Sequence, residues 1–213
     1  MKLPTDRVAV KICGVTNASD ANAAFDAGAD LLGFNTWPGT KRYVDLAANA
    51  AWIAELPVPR VALLVNASLS EAERTAGLPY IDALQLHGDE DAAFCKCVAA
   101  FGKPLIKALR ASSSEIFSGA DSYSTRHILL DAHVPGAFGG TGKRINLDLA
   151  REFRERFPTF TLWLAGGLTP ENVAEAITAA CPQVVDVSSG VEAELGRKDV
   201  TKMRDFIAAV RKA

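Results

Sequence analysis

Short apolar runs alternate with amphipathic, alanine-rich stretches along the whole chain. Runs at 8–12, 31–34, 60–65, 83–86, 104–108, 127–130, 161–165 and 184–187 have strand length and predict eight β-strands. The stretches at 19–27, 46–55, 70–77, 89–101, 113–118, 147–157, 170–180 and 200–212 predict eight helices between and after them. Start signals support several. Asn17 or Ser19 stands before the first helix, and Ser68 or Ser70 precedes Glu71 and Glu73. Thr169 is followed by Pro170 at a first helical position. Gly28 and Gly102 stand where helices should stop.

A strand followed by a helix, repeated, implies parallel pairing through crossover connections. Eight units in 213 residues allow about 27 residues each, enough for a strand, a short helix and two loops. No linker or shift in composition divides the chain, so residues 1–213 read as one domain. The expected fold is α/β: a single-domain (β/α)8 TIM barrel with a parallel eight-stranded core, whose closure removes sheet edges. The alternative, an open doubly wound sheet, favours a G-x-G-x-x-G turn after the first strand. Here that strand ends in Cys13, Gly14, Val15 and Thr16, which do not match.

Composition narrows the function. Hydrophobic residues make up 49% and charged residues 23%, which excludes a disordered or collagen-like chain and a coiled coil. Net charge is −2 from 23 basic and 25 acidic side chains, with no basic stripe to suit a nucleic acid. No apolar run approaches the roughly 18 residues of a membrane span, and residues 1–6 lack the apolar core of a signal peptide. The four cysteines do not form a disulfide pattern, and Cys95 and Cys97 lack zinc spacing. A reducing, cytoplasmic setting without a structural metal is expected.

A barrel places its chemistry where strands end. Reactive or backbone-exposing residues gather there. Lys11 and Cys13 share one face of the first strand, the face expected to line the barrel with Ala9. Cys13 is either a reactive thiol or a small buried hydrophobe. Asp131 ends the sixth strand, and the residues after it do not begin a helix, which weakens a capping role. Gln85 and His87 share a strand face, with His87 read as a supporting group. Lys107 is a further inward candidate, and Lys11 and Asp186 are expected to form an internal ion pair. Gly139, Gly140, Thr141 and Gly142 follow strand six, Gly166 and Gly167 follow strand seven, and Ser189 and Gly190 follow strand eight. Each is a plain turn taken alone; three such loops side by side suit a phosphate held by main-chain N–H groups. Arg42, after strand two, is either a solvated loop residue or a fork for a carboxylate.

Together these motifs resemble the phosphoribosylanthranilate isomerase family of tryptophan biosynthesis, over nearly the whole chain. The resemblance rests on Lys11 to Gly14, Gln85 to Gly88, the 139–142 glycines, Ala165 to Leu168 and Asp186 to Glu192. It implies an Amadori rearrangement of an N-glycoside, with Cys13 as general base, Asp131 as general acid and Arg42 facing the anthranilate carboxylate. Gln85, His87, Gly142, Gly166, Gly167, Ser189 and Gly190 would contact the substrate, with Lys11 and Asp186 in support. An acid that opens the furanose and a base that takes the C2 proton suffice, so no cofactor or metal is expected. A carboxyl group serving as the acid near neutral pH must be kept protonated by burial or a neighbouring carboxylate. A nearby Lys11 ammonium would favour the Cys13 thiolate.

The implied partner is a small phosphorylated substrate, and the chain is expected to be a monomer or homodimer. Asn35, Thr36 and Thr40 depart from the family pattern after strand two, as do Arg144 to Leu147 after the 139–142 glycine loop, both near the anthranilate end. The segments 36–41 and 133–143 are candidate closing loops. A phosphate-binding barrel without catalysis would need neither Cys13 nor Asp131. A histidine-pathway aminoaldose isomerase tends to use two aspartates, so Cys13 argues against it.

Overall fold

Each apolar run of the sequence becomes a strand of one closed sheet. The computed structural model describes residues 2–132 and 144–213. Strands β1 (Ala9–Cys13), β2 (Leu31–Asn35), β3 (Arg60–Leu64), β4 (Ala83–Leu86), β5 (Leu105–Ala111), β6 (His127–Ala132), β7 (Thr161–Leu164) and β8 (Val184–Val187) pair parallel in chain order. β8 closes onto β1, with Lys11 opposite Asp186. Outside them lie α1 (Ala18–Asp26), α2 (Ala50–Ala54), α3 (Leu69–Ala76), α4 (Ala92–Ala99), α5 (Leu147–Arg156), α6 (Val173–Ala180) and α7 (Val200–Lys212). A 3-10 segment, Ser114–Tyr123, stands in the fifth helical position. Among the described residues no helix is long and apolar enough to cross a membrane.

Strand periodicity sorts side chains into two cores. Val10, Ile12, Leu32, Phe34, Leu64, Leu84, Leu130 and Leu164 face the helices. Ala9, Leu31, Val61, Ala83, Ile106, Leu129, Trp163 and Val184 fill the barrel interior near its N-terminal end. One step further along, the inner positions turn polar: Lys11, Gln85, Asp131 and Asp186, all buried. The apolar layer is therefore a floor, and the polar layer above it is the base of a site.

Local sequence sets the helix starts. Asn17 caps α1 by accepting from the Asp20 N–H. Ser68 and Glu71 form a capping box on α3, satisfying two otherwise orphaned donors. Gly28 and Gly102 lie just beyond helix ends with positive φ, as expected.

Three expectations are corrected. The second helix is only Ala50–Ala54, because the Asp45 carboxylate accepts from the Ala47 and Ala48 N–H groups and closes a turn there. The helix expected over 170–180, α6, begins at Val173, since Asn172 Oδ1 takes the Thr169 N–H and holds Pro170 and Glu171 in a turn. Lys107 points outward, away from the barrel interior that its neighbours Ile106 and Ala108 fill. Its Nζ donates to Glu90 Oε2 and to the Gly88 carbonyl, both at 2.8 Å. Glu90 in turn accepts from the N–H groups of Asn66 and Gly88. This buried pair fixes the turn directly after His87. Lys107→Ala leaves Glu90 buried without its cation and lowers stability by about 3–5 kcal/mol, to be read from urea unfolding; replacing both partners with apolar residues costs less.

Candidate active site

The polar layer forms one continuous chain of hydrogen bonds across the barrel. Lys11 Nζ donates to Asp186 Oδ2 and to Gln85 Oε1, each at 2.8 Å. The expected Lys11–Asp186 ion pair is thus present. Gln85 Nε2 lies 2.8 Å from His87 Nδ1, and His87 Nε2 lies 3.1 Å from Asp131 Oδ2. The other Asp131 oxygen accepts the Ala132 N–H at 2.8 Å.

Above this layer a cleft of about 260 Å³ opens at the C-terminal ends of the strands. Cys13 and Asp131, from β1 and β6, both line it, together with Arg42, His87 and Asp186. Gly33 makes room for the thiol: a Cβ there would come within 2.8 Å of Cys13 Sγ. Burial pushes the Cys13 thiol up and outweighs the opposing pull of Lys11 and Lys198. The Lys11 ammonium does favour the thiolate, as expected, but desolvation is the stronger influence. Burial also works to lower Lys11, but the charges of Asp186 and Cys13 prevail and hold the ammonium above its ordinary value.

Gly166, Gly167, Ser189 and Gly190 form the adjoining wall, beyond the ends of β7 and β8, which lie between β6 and β1. Gly166 has φ +93, and a Cβ on it would meet the Ala132 nitrogen at 2.6 Å. A Cβ on Gly190 would overlap the Leu168 carbonyl oxygen. Both positions demand glycine, so the wall is main chain. Gly142 and the candidate closing segment 133–143 lie outside the described residues.

Arg42 is not solvated. Its Nε and Nη2 donate to the two oxygens of Glu192 at 2.7 and 2.8 Å. Lys198 Nζ binds the same carboxylate at 3.1 Å and the Ser188 carbonyl at 3.1 Å. Burial tends to raise Glu192, yet hydrogen bonds from Arg42 and the charge of Lys198 hold it below the ordinary carboxylate range. Burial and the Arg42 charge lower Lys198 despite Glu192. Glu192 and Lys198 lie on a hairpin, β9 (Glu192–Glu194) and β10 (Arg197–Lys198), that periodicity did not predict.

The sequence reading missed Glu192 and Lys198, and it placed Gln85 at the substrate. Gln85 is fully buried, beneath His87 and off the cleft wall. Asn35 and Trp37 also line the cleft.

A family model described as N-(5'-phosphoribosyl)anthranilate (PRA) isomerase matches residues 10–209. The chain belongs to this isomerase family. A PRA isomerase of Geobacter metallireducens is 44% identical, over 94% of this chain and 97% of that protein. One of Neisseria meningitidis is 42% identical, over 97% and 98%. The solved PRA isomerase of Thermotoga maritima superposes with a TM-score of 0.87 at 37% identity, covering 97% of this chain and all of that one. A further solved PRA isomerase holds reduced 1-(o-carboxyphenylamino)-1-deoxyribulose 5-phosphate. It matches with a TM-score of 0.84 at 36% identity, over 97% of this chain and 100% of its own. The family's barrel is the fold seen here, and its isomerase activity in tryptophan biosynthesis is the activity of this chain.

Proposed function

We propose that Cys13 and Asp131 divide the Amadori rearrangement of phosphoribosylanthranilate between them as base and acid. The observation that carries this reading is their joint presence on one cleft wall system, at the ends of β1 and β6, with a glycine-built wall beside them. The Asp131 carboxyl protonates the furanose ring oxygen, the C1–O bond breaks, and the nitrogen lone pair forms the C1=N bond. The Cys13 thiolate removes the C2 proton, and those electrons return to nitrogen through a C1=C2 enolamine. The enol O–H proton is lost, C1 is protonated, and the 1-amino-2-keto sugar results.

The backbone wall of Gly166, Gly167, Ser189 and Gly190 suits the 5-phosphate, whose oxygens accept main-chain N–H groups. Asp186 Oδ1 is buried and has no protein partner among the described residues, so it is the acceptor available to a sugar hydroxyl. Glu192 occupies the Nε edge of Arg42 and leaves Nη1 for the anthranilate carboxylate. Glu192→Ala leaves two buried cations, Arg42 and Lys198, without their shared carboxylate. The variant is expected to lose about 3–5 kcal/mol of stability and to show a raised KM, measured by thermal unfolding and steady-state kinetics.

The test is the fluorescence of phosphoribosylanthranilate generated in place with purified protein. Rapid decay in the wild type with near-complete loss in both Cys13→Ser and Asp131→Asn supports the reading; rapid decay retained in either variant overturns it.

A further inference from the structure

We propose that Gln85 is a positioning residue: it fixes the tautomer of His87 so that the ring donates to Asp131 and cannot take its proton. The inference rests on the reading of Asp131 as the acid.

The argument begins at Lys11. An ammonium has three donors and no acceptor. The Gln85 atom 2.8 Å from Lys11 Nζ must therefore be the amide oxygen. Asp186 holds the ammonium from the other side at 2.8 Å. The amide cannot turn over without pressing N–H groups against a buried cation. Its NH2 group is then committed to His87 Nδ1, also at 2.8 Å.

A donor at that distance requires a lone pair on Nδ1. The neutral imidazole must carry its proton on Nε2, which donates to Asp131 Oδ2 at 3.1 Å. An imidazolium is opposed for the same reason, because its Nδ1–H would face the amide N–H. Lys11 and Gln85 are both fully buried, so no solvent relieves a mispaired arrangement.

The consequence concerns where the acid's proton can go. With Nε2 already protonated, His87 presents no lone pair to Asp131 and cannot take its proton. In the other tautomer, the Nε2 lone pair would stand 3.1 Å from the carboxyl group. The proton would pass from Oδ2 to Nε2, leaving an imidazolium–carboxylate pair and no acid. The observed direction, Lys11 to Gln85 to His87 to Asp131, also helps once the proton has gone to the ring oxygen. The new carboxylate then accepts two N–H groups, from His87 and from Ala132.

Long-range ¹H–¹⁵N spectra of the histidine rings, with His87 assigned from its missing signals in His87→Asn, read the tautomer in the wild type. We expect Nδ1 unprotonated and Nε2 protonated. An Nδ1-protonated ring or an imidazolium at neutral pH overturns the proposal. In Gln85→Glu, one carboxylate oxygen takes Lys11 and the other accepts from Nδ1–H, so the tautomer reverses. The expected kcat loss is about 10²-fold with little change in KM. Reversal of the tautomer with unchanged kcat would also overturn the proposal. If Gln85→Glu does not fold, the wild-type spectrum still decides. An inactive wild type defeats the assignment of the acid, whereas an active wild type with Nδ1–H on His87 defeats this inference alone.

Discussion

Asp131→Asn is expected to lower kcat by about 10²- to 10⁴-fold, the range that general acid catalysis supplies. The side chain keeps its shape but has no proton to give to the furanose oxygen. The change also has a structural cost that can be separated from the chemical one. Asp131 accepts at both oxygens, from His87 Nε2 and from the Ala132 N–H. Asparagine offers one oxygen, so one of these buried donors loses its acceptor, at about 1–3 kcal/mol. Thermal unfolding should show that modest loss, far too small to unfold a barrel of this size. Steady-state decay of substrate fluorescence should show the large one, mainly in kcat.

Cys13→Ser is the second large effect, again about 10²- to 10⁴-fold in kcat. Serine fits the space that Gly33 leaves for the thiol, so the loss reports chemistry and not packing. The pH dependence has a definite sign. Burial holds the thiol above its ordinary pKa despite Lys11 and Lys198, so the free chain at neutral pH carries mostly thiol. The base is the thiolate. The limb of the wild-type kcat/KM profile that follows ionisation of Cys13 should therefore lie above neutrality, and the Ser variant should lack it. The same limb retained in Cys13→Ser would contradict Cys13 as the base.

Much of the barrel is legible in the chain because each strand is a short apolar run bounded by turn residues. All eight runs became strands, with ends within a few residues of the expected ones. What the pattern could not give was the phase of a strand buried on both faces. In β5 both Ile106 and Leu105 are apolar, one facing the barrel and the other the helices, so nothing local shows which way Lys107 points. β1 was easier, because Lys11 and Cys13 stand out on one face against Val10 and Ile12.

The site divides in the same way. Cys13, Asp131 and the glycine pairs are visible as strand-end residues. The partner of Arg42 is not, since Glu192 lies 150 positions away and a carboxylate on a short hairpin carries no periodic signal. Gln85 was visible, but its role depends on which end of its amide meets Lys11, a fact of three dimensions. The expected ion pair between Lys11 and Asp186 could be anticipated only once barrel closure had placed β8 beside β1.

The central claim is that the two groups act at different atoms, Asp131 at the ring oxygen and Cys13 at C2. Substrate deuterated at sugar C2 tests it most directly. Its decay rate should be compared with that of ordinary substrate in Cys13→Ser and in Asp131→Asn. The account predicts a primary isotope effect in Cys13→Ser, where breaking the C2–H bond limits the rate. It predicts none in Asp131→Asn, where ring opening limits the rate. An isotope effect confined to Asp131→Asn, or absent from Cys13→Ser, would contradict the assignment of base and acid.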